Sequence, residues 1–402
     1  MKKSSALAII FLTVFIDLLG FGIVIPLLPS FSFNELGMSD LMIGFTVGIF
    51  SLMQFIFSPV WGSLSDRYGR KPILIMSLTG SFLSFFVLAL VFSGIIKSML
   101  LLILARAFAG VFAANISAAL AAISDVTPPE DRTKGIGLIS VAFSLGFVFG
   151  PAIGGVLSEN FGFGFPVFVA AGLSLFDTIL CIFIFKETLP KEIQLKNRET
   201  KNKIRILNLK LIFETVRNKN FGKFIIIFFV TVFAFSNIFG TMQLFAERKD
   251  GLNLNQAEIG YLFSFLGIVG ALVQLFFLKV FKNFFSEETV LIIGAFIASI
   301  GLYFIGYSTS VTLLLIFLFI LSLGNGMSNT VSQSLLSQNV SPDKQGTILG
   351  INQSLGSFAR FLGPTWGGFV YQYMGFKSPF ITGGIVMLLI GIYSLKVLKK
   401  RG

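Results

Sequence analysis

The chain has 402 residues, of which 54% are hydrophobic and 12% are charged, and its mean hydropathy is +0.87. A soluble globular protein of this length needs more polar surface, so the composition excludes that class. The net charge of +12 does not indicate nucleic-acid binding, because the basic residues lie in short breaks between apolar runs. With no His and a single Cys181, the chain lacks the residues for a His-based proton switch, a catalytic triad, a Cys metal cluster or an intramolecular disulfide.

Twelve apolar segments follow one another along the chain, each near the ~20 residues that a helix needs to cross a bilayer. The first resembles a signal peptide, but it is too long and Asp17 interrupts it, so we interpret it as a retained span. The tenth and eleventh are the least apolar because they carry many Gly, Ser, Asn and Gln. The predicted spans are 7–29, 41–63, 73–95, 99–123, 135–158, 164–186, 223–246, 256–281, 289–307, 311–336, 345–372 and 378–396.

The distribution of Lys and Arg predicts the orientation of these spans. If both termini lie inside, 25 of the 31 basic residues fall in inside segments and 4 in outside loops. The other two, Arg106 and Arg360, lie within spans. Because cytoplasmic loops carry the excess of positive charge, this bias predicts that the N- and C-termini are cytoplasmic.

The chain repeats itself at an offset of 213 residues. "GPAIGG" (150–155) recurs as "GPTWGG" (363–368), and other Gly and Pro residues match at the same offset. Duplicated halves of six spans are a known transporter plan, with the substrate site between the halves. We therefore predict an N-terminal half at 1–186, a basic cytoplasmic linker at 187–222 and a C-terminal half at 223–402. We interpret the linker mainly as a solvated segment that also fixes topology, with a short amphipathic helix on the membrane surface at "LNLKLIFETV" as the alternative.

Five stretches resemble motifs of one transporter family. They are "DLLGFGIVIPLLP" (17–29), "GSLSDRYGRKPIL" (62–74), "LARAFAG" (104–110), "AISDVTPPEDRTKGIG" (122–137) and "GFVFGPAIGG" (146–155). The second is similar to the loop 2–3 signature of the major facilitator superfamily, and the last to its fifth-span antiporter motif. The set as a whole most resembles the twelve-span drug:proton antiporters, with tetracycline and multidrug exporters most alike.

The resemblance implies an all-α polytopic membrane protein of the major facilitator fold, with twelve transmembrane helices in two six-helix halves. It implies a secondary active transporter of the cell membrane that works by alternating access and exports small amphipathic molecules or drugs in exchange for protons. Its partners would be a small-molecule substrate, protons and the lipid bilayer. We expect a monomer that binds no nucleic acid, needs no cofactor or metal and is not an enzyme.

The loop 2–3 stretch suggests more than a topology signal. Gly62 allows close helix approach, and Gly69 permits a turn with positive φ. By resemblance, Asp66 would clasp the eleventh span, and Arg70 with Asp125 would form a charge pair in the same latch. At offset 213 the other half keeps basic charge but loses the Asp and the glycines, which favours the latch over a simple topology signal.

The fifth-span stretch has a small-residue face interrupted by proline. Its glycines lie mostly four residues apart and form a stripe suited to close helix contact, and the proline bends or loosens the helix. Such a helix suits rocking between halves, with ordinary packing inside one half as the alternative. The residues are Gly146, Gly150, Pro151, Gly154 and Gly155.

Four charged residues lie within predicted spans, where each costs ~2.5–3.5 kcal/mol on insertion scales. Asp17 and Arg106 have depths that differ by only ~5 Å at 1.5 Å per residue, so they either face one cavity or form a permanent ion pair. We predict that Asp17 carries the coupling proton and that Arg106 modulates it. Asp177 in span 6 is interpreted as a structural partner, with proton carriage as the alternative. Arg360 in span 11 contacts either an anionic group or a carbonyl.

Polar uncharged residues on the inner spans are candidates for a substrate cavity, with interhelical hydrogen bonding as the alternative. Three of them lie four residues apart and share one face of span 10. The candidates are Gln54, Asn115, Asn237, Gln243, Asn325, Asn329 and Gln333, together with Arg360.

The substrate class stays open, because this chain lacks the acidic residues of span 3 in tetracycline exporters and of spans 7 and 10 in quinolone exporters. That absence leaves room for a neutral or anionic metabolite. The alternatives to an exporter are an importer of a sugar or other metabolite with the same fold, and a non-transporting membrane scaffold.

Overall fold

A computed structural model describes residues 3–113, 116–127, 132–199, 208–248, 251–341 and 344–398, and nearly all of these residues are helical, with none in a β-strand. The all-α fold class is thereby confirmed. The helices up to residue 199 are α1 Lys3–Val24, α2 Leu27–Asn34, α3 Asp40–Tyr68, α4 Arg70–Phe92, α5 Met99–Phe112, α6 Ile116–Val126, α7 Arg132–Phe161, α8 Gly164–Phe183 and α9 Lys191–Glu199. Those that follow are α10 Leu209–Val216, α11 Gly222–Ser236, α12 Ile238–Glu247, α13 Gln256–Leu272, a π-helix Val273–Phe277, α14 Leu278–Phe284, α15 Glu287–Ile305, α16 Val311–Gln338, α17 Gln345–Met374 and α18 Ser378–Leu398.

Among the described residues, ten helical stretches are long and apolar enough to cross a membrane. They coincide with ten of the twelve predicted spans, the exceptions being 99–123 and 345–372. The first exception contains the shorter helices α5 and α6, and the second is α17, whose 30 residues include many that are polar or small. The protein is thus a multi-pass membrane protein, while the count of twelve spans and the cytoplasmic termini stay predictions.

The outer faces of these helices are apolar. Phe183 is 80% exposed, Leu100 66% and Leu389 59%. Lipid tails are as apolar as these side chains, so the bilayer interior can surround these faces without cost. Packing between helices must therefore come from close fit and from hydrogen bonds.

The helices form two compact units. Unit 1 comprises the described residues of Met1–Phe31, Leu52–Leu207 and Gln256–Ser264. In it α1 packs along α7 and α8, and α4 packs along α8. Its core includes Leu18, Leu78 and the thiol of Cys181, which is 1% exposed.

Unit 2 comprises the described residues of Ser32–Ser51, Asn208–Asn255 and Phe265–Gly402. In it α15 packs along α16 and α18. Gly294 and Gly324 let the first two helices approach closely: a Cβ added to Gly294 would lie 2.9 Å from the Gly324 oxygen. Small residues at helix contacts are the usual means of close packing in membranes.

The units exchange two segments relative to the halves predicted from the repeat. The start of α3 belongs to unit 2 because Gly44 contacts Gly368 on α17, where an added Cβ would lie 3.2 Å from the Gly368 Cα. The start of α13 belongs to unit 1 because Gly155 on α7 contacts Gly260, with a corresponding distance of 3.1 Å. The boundaries at 186 and 222 stay predictions, because they come from the sequence repeat, whereas the two units are defined by contacts between residues.

Candidate functional site

The turn between α3 and α4 holds a group of charged side chains, which we call the Arg70 cluster (Ser65, Asp66, Arg70, Asp125 and Glu187). Arg70 is 6% exposed, so its charge needs partners. Its Nη1 donates to Asp66 Oδ1 at 2.6 Å and to Ser65 Oγ at 2.8 Å, and its Nε donates to Asp125 Oδ2 at 3.0 Å. The structure therefore brings together three of the residues predicted for the latch, Asp66, Arg70 and Asp125.

Gly69 makes the turn possible. Its φ of 103° and ψ of 162° lie in a region that only Gly occupies freely. A Cβ here would also overlap the Glu187 carboxylate. The predicted role of Gly69 as a turn residue thus has a definite geometric basis, and Gly62 contributes its carbonyl, which accepts from Ser65 Oγ at 2.9 Å.

Glu187 is a member of this cluster that sequence reasoning missed. Its carboxylate accepts from the backbone N–H of Arg70 at 2.8 Å and of Lys71 at 3.1 Å, at the start of α4. These N–H groups have no partner within the helix, and the helix dipole favours an anion at this end. No spacing pattern in the sequence indicated this contact, because Glu187 lies 117 residues from Arg70 at the edge of a polar linker.

The first helix of the linker, α9, completes the cluster from the other side. Asn197 Nδ2 donates to the Asp66 carbonyl at 2.9 Å, and Arg198 Nε donates to the Arg67 carbonyl at 2.9 Å. The Arg198 guanidinium also lies over the Tyr68 ring, 4.9 Å from its centroid. These contacts satisfy carbonyls in the last turn of α3, so this part of the linker packs against α3 and stabilises its end. The clasp of Asp66 onto span 11 stays a prediction.

The glycine stripe of α7 faces two neighbours. Gly146, Gly150 and Gly154 lie against α1, where a Cβ on Gly150 would be 2.7 Å from the Gly22 Cα. Gly155 lies against the start of α13, as described above. Pro151, inside α7, presents its carbonyl to Gly260 so closely that a Cβ there would overlap it.

Three of the four intramembrane charges of the sequence gather around one face of α1. Thr13, Asp17 and Phe21 are four residues apart and so share that face. Asp177 on α8 is fully buried, lies beside Thr13 and is within electrostatic range of Asp17. Arg106 on α5 is 2% exposed and lies over the Phe21 ring, 5.9 Å from its centroid. The roles of Asp17 and Arg106 in proton coupling stay predictions.

The predicted cavity residues separate into two sets. Asn325, Asn329 and Gln333 on α16 line a cavity of about 230 Å³ within unit 2. The π-helix adds Gln274 to its lining, a residue that the sequence pattern did not single out. No periodicity signal marks one extra residue in an apolar run, so only the three on α16 were predictable.

The other candidates lie elsewhere. Asn237 is 1% exposed, and its Nδ2 donates to the Pro379 carbonyl at 2.6 Å, which ties the junction of α11 and α12 to α18. Gln243 is fully buried in α12, and Gln54 donates to the Ala113 carbonyl at 3.3 Å. Arg360 donates from Nη2 to Ser357 Oγ at 2.9 Å. Asn115 lies outside the described residues.

A second charged group, the Arg248 cluster (Asn34, Asp40, Glu247, Arg248 and Gln372), lies within unit 2 and was not predicted. Arg248 Nη2 pairs with Asp40 Oδ1 at 2.5 Å. Its guanidinium lies 4.1 Å from the Phe33 ring centroid and 4.9 Å from that of Tyr371. Gln372 accepts from the Leu41 N–H at 3.1 Å, and Asn34 donates to Glu247 at 2.5 Å. The cluster binds the start of α3 to α12 and α17.

Comparison with known proteins gives full-length relatives. The model of the Major Facilitator Superfamily matches residues 10–364 and, again, 251–401. "Multidrug resistance protein 2" of Bacillus subtilis (strain 168) is 30% identical over 400 residues, covering 97% of this chain and 95% of the relative. "Tetracycline resistance protein, class C" of Escherichia coli is 30% identical over 372 residues, covering 90% and 89%.

Solved structures show the same fold. The human organic anion transporter MFSD10 (TETRAN) has a TM-score of 0.71 at 22% identity, covering 98% of this chain and 100% of that one. The nucleoside transporter NupG has a TM-score of 0.76 at 15% identity, covering 99% and 100%.

Proposed function

We propose that this chain, which belongs to the Major Facilitator Superfamily, is a proton-coupled exporter of small amphipathic molecules. The chain is a multi-pass transporter of the cell membrane with drug-efflux relatives. The identity of 30% to a multidrug resistance protein over 97% of the chain supports the proposal of export. A nucleoside transporter among the structural neighbours makes uptake of a metabolite the competing direction.

We assign the coupling proton to Asp17, with Asp177 as its neighbour. The fully buried Asp177 and the half-buried Asp17 lie within electrostatic range of each other and repel when both are charged, and a proton on one of them removes that repulsion. Arg106 on α5 lies over Phe21 on the same face of α1. The interaction of its positive charge with Asp17 therefore depends on the distance between α5 and α1. These contacts support a site where protonation and helix position are linked.

The Arg70 cluster is proposed as the conformational latch. Its buried guanidinium ties the α3–α4 turn to Asp125 near the end of α6, and Glu187 ties the same turn to the linker. A latch of charge-assisted hydrogen bonds biases an alternating-access equilibrium by as much as its bonds differ in strength between the two states.

Substrate-driven proton flux in proteoliposomes tests the proposal. We expect tetracycline to exchange for protons across a pH gradient, and Asp17→Asn to abolish this exchange while the melting temperature stays within a few degrees. Glu214→Gln, which removes an exposed carboxylate of α10, is the matched control and should exchange normally.

The outcomes separate the competing functions. Full proton exchange by Asp17→Asn would contradict the assignment of the proton site. Transport that follows the substrate gradient inward without proton movement would favour a metabolite importer. Silence of the wild-type chain towards a broad panel of drugs and metabolites would favour a scaffold.

A further inference from the structure

The cavity within unit 2 is built by four helical segments. Phe235 of α11 and Leu266 of α13 form apolar parts of its wall, and Asn325, Asn329 and Gln333 form one side along α16. Its volume of about 230 Å³ greatly exceeds the roughly 10–15 Å³ that a single water needs. The space suits a small organic molecule.

The π-helix brings Gln274 to this wall. A π turn inserts a residue into an α-helix and shifts the faces of the residues around it, and such turns are frequent at functional sites. Here Gln274 lines the cavity, whereas the next residues, Leu275 and Phe276, are 67% and 61% exposed apolar side chains. Gln274 is itself exposed, and it is the polar residue that the π-helix contributes to the cavity lining.

The amide hydrogen bonds along α16 all donate in the same direction, towards Asn329. Gln353 of α17 donates from Nε2 to Gln333 Oε1 at 2.8 Å, and Gln333 donates from Nε2 to Asn329 Oδ1 at 2.9 Å. Since the Asn329 oxygen accepts this bond, its NH₂ group remains as a donor. One turn away, the buried Asn325 Oδ1 has no hydrogen-bond partner within the described part of the chain. Because this oxygen has almost no accessible surface, a rotation of the Asn325 side chain, which lines the cavity, would present the acceptor beside the Asn329 donor.

The lining contains no Asp, Glu, Lys or Arg among the described residues. Arg360 lies on α17 with its guanidinium on Ser357, and it does not belong to this wall. A charged ligand would enter without a counter-charge and lose its hydration, which is costly, whereas an uncharged ligand loses less and gains the amide contacts.

We propose that this cavity binds an uncharged small molecule that has an apolar part and a carboxamide-like pair of one acceptor and one donor. The ligand's acceptor takes the Asn329 NH₂, its donor reaches Asn325 Oδ1, and Gln274 closes the polar side. This inference rests on the proposed function, because it names the substrate class of a transporter, and it places organic cations outside that class.

Three compounds of one shape and different charge test it: benzamide, benzamidine and benzoate. Binding to the purified full-length chain in detergent is measured by ligand-detected NMR titration at neutral pH, without any proton gradient. We expect benzamide to bind at least about tenfold more tightly than its cationic and anionic analogues, because the wall pairs only with an uncharged amide. Equal binding of the three, tighter binding of either ion, or no binding of benzamide would overturn the proposal.

Variants locate the binding. Asn325→Leu should weaken benzamide at least about tenfold, and Asn325→Asp should reverse the preference in favour of benzamidine. A purely structural role of Asn325 would not produce that reversal, so wild-type preference in Asn325→Asp would overturn the assignment. Gln338→Leu, which removes an exposed amide from the end of the same helix, is the matched control.

This binding assay and the flux assay fail independently. A chain that prefers benzamide but moves no protons would contradict the proton-coupled exporter and leave the cavity assignment intact. A chain that exchanges protons for tetracycline and binds benzamidine more tightly than benzamide would support the proton-coupled exporter and contradict the cavity assignment.

Discussion

At residue 69 the backbone adopts φ 103° and ψ 162°, and the absent side chain leaves room for the Glu187 carboxylate. One glycine therefore satisfies two conditions, the turn between α3 and α4 and the approach of a remote anion to the start of α4. The anion in turn accepts from two backbone N–H groups at that helix end. The charged loop is a packed structure whose parts depend on each other.

Gly69→Ala should therefore lower the free energy of unfolding by about 1–3 kcal/mol, the cost of a residue held in a disfavoured backbone region. Thermal unfolding in detergent, followed by circular dichroism, measures the effect. Gly172→Ala is the control, because an added Cβ there meets nothing within 4 Å and the residue lies inside α8. Equal melting temperatures for the two variants would contradict the argument.

Among the helices, α7 shows how a small-residue stripe determines packing. Gly150 touches α1 and Gly155 touches α13, so one helix presents adjacent smooth faces to two neighbours. The sequence predicted the stripe because glycine spacing is a local property. It did not predict which neighbours the stripe would meet, since partner helices are chosen by tertiary contacts.

Gly150→Ala should disturb the contact of α7 with α1, because the new methyl group would lie 2.7 Å from the Gly22 Cα. Overpacking of this kind costs typically about 1–3 kcal/mol. We expect a lower melting temperature and a smaller monodisperse fraction in gel filtration. Gly350→Ala is the control, since a Cβ at that position meets nothing within 4 Å, and it should behave as the wild type.

The sequence predicts features that depend on neighbouring residues, and it misses features that depend on residues far apart in the chain. Ten of the predicted spans are long apolar helices here, because hydropathy needs only local composition. Asn325, Asn329 and Gln333 were placed on one face by their four-residue spacing, and they share a cavity. Glu187 and Gln274 were missed, because one acts across 117 residues and the other depends on a π turn.

On the scale of the whole molecule, α3 carries charged residues at both of its ends. Asp40 at its start belongs to the Arg248 cluster, and Asp66 in its last turn belongs to the Arg70 cluster. With 29 residues at 1.5 Å each, the helix is roughly 43 Å long, enough to span the bilayer with its polar borders. The charges thus mark both ends of one membrane-spanning rod.

Reporter fusions test the predicted orientation at the two predicted spans that are not among the ten long apolar helices. If 99–123 and 345–372 both cross the membrane, fusions after Lys97 and after Lys377 lie outside, and fusions after residue 131 and after Lys344 lie inside. Alkaline phosphatase should be active only at the outside positions and green fluorescent protein fluorescent only at the inside ones, including the C-terminus. Phosphatase activity after residue 131 would remove span 4 from the count.

The buried thiol of Cys181 has an experimental consequence. It is the one cysteine of the chain and is 1% exposed in the core of unit 1. A maleimide dye should therefore leave the folded protein almost unlabelled and react as α8 separates from α1, which makes the native chain its own unfolding reporter. Because Cys181 does not react in the folded protein, pairs of introduced cysteines can be spin-labelled without first removing it. Distances between helices can then be followed through the transport cycle.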